Sequence, residues 1–145
     1  MAKTQAFLSQ EDEQEIVQAI VVAENNTSGE IRVHIEERSE KAPLDRAQEV
    51  FFELYMNETK DRNGVLFYLG IADKKFAIIG DEGIDKVVES DFWDSTKDIV
   101  LANFKEGNFK KGLVEGILRA GERLKQYFPH QSDDSNELSN EISKS

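Results

Sequence analysis

The chain has 145 residues, no cysteine, and 29 acidic against 18 basic side chains, for a formal charge of −11. That length suits one domain able to bury a core without disulfides, and the missing thiols exclude cysteine catalysis, iron–sulfur clusters and thiolate zinc sites. An acidic chain with no basic stripe interleaved with aromatics argues against nucleic-acid binding and favours a cation as partner.

No run approaches the ~20 apolar residues that span a bilayer, and the opening "MAKTQAFLSQEDEQE" lacks the apolar stretch of a signal peptide. A cytoplasmic protein without membrane insertion, and a monomer, is expected. Ser9 and Asp12 have the spacing of a capping box, and Ile16, Ile20 and Ala23, with Val17 and Val21 beside them, form a helical stripe over about 10–25. "NNTSG" breaks it. "EIRVHIEE" then alternates, with Ile31, Val33 and Ile35 on one face and Glu30, Arg32, His34 and Glu36 on the other, which predicts a strand dry on one side only.

After "KAPLD", the residues Leu44, Ala47, Val50, Phe51, Leu54 and Tyr55 recur at helical spacing until "NETKDRNG". "GVLFYLGI" and "KFAIIG" flank "ADKK" as two strands buried on both faces and joined by a tight turn. Beyond "GDEGIDKVVESD" come a helix carrying Trp93, Val100 and Phe104 and a last helix with Phe109, Leu113, Ile117, Ala120, Leu124 and Phe128. Gly112 and Gly116 on that last helix read as close packing against the sheet, and Trp93 as a half-buried anchor or a lining of the rim. Pro129 closes a single α/β domain over 1–129. The remaining 130–145 carries four acids and one lysine, too little apolar material to pack, and is expected to be a disordered acidic, polar tail.

Connection rules turn this order into a rim. A strand, a crossover helix and a second strand form a parallel, right-handed unit, and a third strand joined by a short turn runs back to the starting edge. Glu30, the segment Asp61, Arg62 and Asn63, and Asp81 with Glu82 and Asp85 therefore converge. Calcium and magnesium prefer several hard oxygen ligands, so Glu30, Asp61, Asn63, Asp81, Glu82 and Asp85 are the candidate metal ligands for Ca2+ or Mg2+, with Arg62 as a possible phosphate contact. Asp81 also suits the N-cap of a short helix starting near Gly83. His34 stands about 13 Å along the strand from Glu30. Both it and His130 read as structural or solvated.

The stretches "TSGEIRVHI", "RNGVLFYL", "FAIIGDEGI", "DFW" and "FKKGLVEGI" through "AGERLKQYFP" resemble, in order and spacing, the short stand-alone form of the TPM domain, often labelled a TPM-type phosphatase domain. The resemblance covers 28–129. It implies a three-layer α/β/α sandwich with a small mixed sheet and a divalent cation, often calcium, in an acidic pocket at a sheet edge. Plant relatives are associated with acid phosphatase activity and photosystem repair. Unlike many relatives, this chain shows no C-terminal membrane helix or glycine-rich tail.

Three functions stand open on this reading. The first is divalent-cation binding at the acidic rim. The second is a metal-dependent acid phosphatase acting on phosphate monoesters, for which no cysteine, "RHG" or "DxDx[TV]" motif is present, leaving a metal-activated water as the route. The third is a protein-interaction module without catalysis.

Overall fold

A computed structural model describes residues 8–72, 74–130 and 138–144. Helix α1, Gln10–Asn26, begins at Ser9, whose hydroxyl accepts from the Asp12 amide while the Asp12 carboxylate accepts from the Ser9 amide, so the capping box forms in full. Its stripe of Ile16, Ala19, Ile20 and Ala23 is buried. Strand β1 spans Glu30–Glu36. Helix α2, Pro43–Glu53, starts on a proline preset for the first turn. It stops two residues before the apolar pattern does. Tyr55 takes left-handed φ 56° and turns the chain into a single 3₁₀ turn, Met56–Glu58, which drives Met56 into the core.

Strands β2, Gly64–Gly70, and β3, Lys75–Gly80, form the predicted hairpin, but only β2 is buried throughout as expected; β3, at the edge of the sheet, is only partly buried. Short helix α3 covers Glu82–Asp85, α4 Asp94–Lys105 and α5 Phe109–Lys125. A two-residue strand, β4, Ser143–Lys144, completes a mixed sheet of order β3-β2-β1-β4. β1 runs parallel to β2 with Glu30 opposite Gly64, and β3 runs antiparallel with Gly80 opposite Val65. The starts of β1 and β2 and the end of β3 thus share one rim.

Helices cover both faces, in three layers. Ile31, Val33, Ile35, Val65, Phe67, Leu69 and Ile78 meet α1, α4 and α5, while Leu66, Tyr68 and Ala77 meet Ala47, Val50 and Phe51 of α2. Gly112 and Gly116 of α5 pack mainly against α4 and not the sheet. A Cβ on Gly112 would touch Phe104 and Asn103, and one on Gly116 would fall 2.4 Å from Val100 and 3.3 Å from Phe67.

Two expectations change. Strand β1 is dry on both sides, with Glu30, His34 and Glu36 only 4%, 2% and 3% exposed. Part of the reason is α2, whose Arg46 covers Glu36, and the rest is the second change: residues 138–144 do not trail away as a polar tail but lie against the sheet. Leu138 packs on the α2 side, Ile142 packs against the larger core, and Ser143 and Lys144 pair in parallel with His34 and Ile35. The rest of the predicted tail, 131–137 and 145, lies outside the described residues.

Candidate functional site

Gly80 ends β3 against Ile84, which is fully buried and plugs the corner beneath α3. Asp81, at extended φ and ψ, is the N-cap: its Oδ1 accepts from the Glu82 amide at 2.8 Å. The same carboxylate, only 6% exposed, receives Arg62 from the loop before β2. Arg62 Nε donates to Oδ2 at 2.7 Å and Nη2 to Oδ1 at 2.9 Å, while Nη1 donates to Glu82 Oε1 at 3.0 Å. The backbone joins in. Arg62 sits at φ 51°, its carbonyl accepts from the Gly83 amide at 2.8 Å, and a Cβ on Gly83 would lie 2.3 Å from the Asp61 carbonyl oxygen. Glycine is required there by closeness of approach.

Asp85 stands one turn beyond Asp81. Among the described residues no cation is paired with it, and burial, then the Asp81 charge, push its carboxyl above the ordinary range. Beside the two carboxylates opens a groove of about 340 Å³, walled by Phe51, Phe52 and Gln48 of α2 on one side and Trp93 on the other, with Ile78, Ile79 and Gly80 of β3 as its floor. Trp93 is half-buried, edge-on to Phe92 at 4.7 Å.

The remaining predicted ligands share the rim but are turned elsewhere. Glu30 Oε1 accepts from the Leu138 amide at 2.6 Å, and its own amide donates to the Asn63 carbonyl. Strand spacing sets Glu30 two strands, about 10 Å, from Asp81. Asn63 is buried with its amide nitrogen on Ser28 Oγ at 3.3 Å, and the Asp61 side chain is exposed. Among the described residues no three His, Cys, Asp or Glu side chains are grouped to hold a metal ion. The acids of the corner fit a cation by charge, but they are not preassembled around one.

The opposite rim holds a polar cluster that sequence patterning missed. Glu36 accepts from Arg46 Nε at 2.9 Å and Nη2 at 2.9 Å, from the Tyr68 hydroxyl, and faces His34 Nε2 at 3.2 Å. Burial works against its charge, yet these hydrogen bonds, Arg46 foremost, hold its carboxyl at about 2. His34 Nδ1 reaches Ser143 Oγ at 2.9 Å. Burial lowers the His34 pKa, which favours the uncharged ring, and the contact to Ser143 ties β1 to β4. Local pattern carries no signal for this cluster, since alternating Arg32, His34 and Glu36 read as a wet face until α2 and residues 138–144 close on it.

A mixed sheet between helices, an acidic corner at one rim and an open groove along an edge strand define a small α/β/α domain. The family model of the TPM domain matches residues 1–123, and the chain belongs to that family. No functionally curated protein matches it. Among solved structures, the chain is similar to the NMR structure of the BA42 protein from the psychrophilic bacterium Bizionia argentinensis, with 54% identity, full coverage of both chains and a TM-score of 0.93. The N-terminal domain of a P. gingivalis protein matches at 19% identity over 86% of this chain and 82% of that one, TM-score 0.70. The N-terminal domain of cg2496 from Corynebacterium glutamicum matches at 13% over 91% and 81%, TM-score 0.63. The last two show the fold alone. Among the described residues no helix is long and apolar enough to cross a membrane.

Proposed function

We propose that this TPM domain binds a hard divalent cation, calcium or magnesium, at the corner of Asp81, Glu82 and Asp85. The observation that carries the reading is Asp85: its carboxylate stands next to that of Asp81, at the end of a groove, without an ion-pair partner among the described residues. Arg62 already supplies one positive charge to Asp81 and Glu82. It is therefore the resident counter-cation, and a doubly charged ion competes with it for the same oxygens. The Arg62 side chain is 37% exposed and can move into water. Such a site is weak, because its ligands must reorganise and water must supply much of the oxygen shell.

A second reading, hydrolysis of phosphate monoesters at the same corner, is favoured by one feature. A guanidinium released from Asp81 has the planar fork that suits phosphate. The ion, when bound, would supply Lewis acidity, and Arg62 would orient the anion.

The test is an amide NMR titration of the labelled chain with calcium and then magnesium. Saturable shifts confined to 61–64 and 80–85, lost in Asp85→Asn, are expected. No localised shift up to millimolar ion would sink the proposal. Turnover of p-nitrophenyl phosphate that vanishes with chelator and with Asp81→Asn would bring in the second reading.

A further inference from the structure

Strand β3 is the outer strand of the sheet, and only β2 is paired with it. The Asp81 amide donates to the Gly64 carbonyl, and Gly80 lies opposite Val65. Antiparallel alternation then turns the amides and carbonyls of Phe76, Ile78 and Gly80 outward. Among the described residues no backbone group is hydrogen-bonded to them. Soluble proteins blunt such edges with proline, bulges or lysines, yet β3 has a lysine only at its first residue, Lys75, and from Phe76 to Gly80 it carries none of these. The edge is also not flat to solvent. Phe52, 59% exposed, and Trp93 stand as walls on either side of it, and Asp81 and Asp85 close one end.

We infer that this groove receives an extended, basic peptide segment of another protein, added as a further strand on β3. Main-chain hydrogen bonds to Phe76, Ile78 and Gly80 supply the register, and alternate apolar side chains lie over Phe52 and Trp93. A lysine or arginine reaches Asp85, its stem over the indole. Charge selects the occupant: the chain carries −11, so an acidic strand is repelled. The inference stands apart from divalent-cation binding, since the edge offers its hydrogen bonds with or without an ion.

The experiment titrates the labelled full chain with the acetylated, amidated peptide KVTVKVT, following amide shifts and hydrogen exchange. Slowed exchange at Phe76, Ile78 and Gly80, with a shifted Trp93 indole signal, is expected. Asp85→Asn should weaken binding about fivefold, and EVTVEVT, or KVTVKVT N-methylated at alternate amides, should not bind. Four results would overturn it: no saturable shift; equal binding of the N-methylated peptide; shifts at 81–85 without slowed exchange along β3, which means simple cation binding; or protection of that edge without peptide together with a doubled rotational correlation time, which means a second copy occupies it.

Discussion

Arg62 grips Asp81 through two parallel hydrogen bonds, at 2.7 and 2.9 Å, while its own carbonyl accepts from Gly83 two residues beyond that aspartate. One residue thereby fixes the loop before β2 to the end of β3 by side chain and backbone together. Arg62→Ala leaves a mostly buried carboxylate with only the Glu82 amide as its described hydrogen-bond donor. We expect a measurable loss of stability, below the usual cost of breaking a buried pair because Arg62 is partly exposed. Millimolar calcium should restore part of that loss if an ion replaces the guanidinium. Chemical unfolding with and without calcium measures both effects, and a loss untouched by calcium would count against competition.

Gly83→Ala attacks the same joint through the backbone. Its Cβ would stand 2.3 Å from the Asp61 carbonyl and 2.5 Å from that of Arg62, and neither backbone atom can give way cheaply. The loop must shift and the Arg62–Asp81 pair with it. Destabilisation of about 2–3 kcal/mol is expected by thermal unfolding, with amide shifts spreading over 59–63.

Removal of 138–145 uncovers the Glu30 carboxylate and strips Leu138 and Ile142 from two different packed clusters. The cost expected is about 2 kcal/mol, from partial burial of two aliphatic side chains. Ser143→Ala, which removes only the contact to His34, should cost about 1 kcal/mol or less. Urea midpoints of the two variants test the ratio. Equal stability of the truncated chain would show that the segment does not hold β1.

Glu24 gives the chain a signature in pH. Burial raises its carboxyl from 4.5 to about 7, although the Ile31 amide donates to it at 3.0 Å. The folded state therefore keeps a proton that the unfolded chain releases, so the stabilisation is full below about pH 4.5 and is lost as pH rises through 7. Glu24→Gln keeps an acceptor for Ile31 and cannot ionise. The difference in unfolding free energy between the two proteins should grow in favour of Gln by roughly 2–3 kcal/mol between pH 4.5 and 8. Taking the difference isolates Glu24 from His34, whose lowered pKa acts in the opposite sense, with stability lost as pH falls below 6.5. A flat difference would show that the Glu24 carboxylate is hydrated in the fold.

Below pH 4.5 a dependence opposite in sign to that of Glu24 is added by Glu36. Its pKa, held at about 2 by Arg46, Tyr68 and His34, makes stability present above pH 4.5 and lost as the medium falls through 2. Tyr68→Phe removes one donor and should cost about 1–2 kcal/mol at neutral pH. It should also shift acid unfolding to higher pH, read by far-UV circular dichroism.

Local chemistry in the sequence was enough to determine the main helices, the first three strands and the rim. Ser9 with Asp12 set the start of α1, two apolar runs around "ADKK" set the hairpin, and handed connections placed Glu30, Asn63 and Asp81 at one end of the sheet. These features depend on neighbours within a few residues or on chain chirality, so they are written locally. The direction of side chains at that rim was decided only in three dimensions. Glu30 turns to the Leu138 amide 108 positions away, and Arg62, read as a phosphate contact, is spent on Asp81 and Glu82. The second face of β1 shows the same limit: its charges read as wet because burial there comes from α2 and from 138–144. Whether a charged side chain meets water, a counter-ion or a ligand depends on which distant segment arrives beside it, and no periodicity along the chain records that.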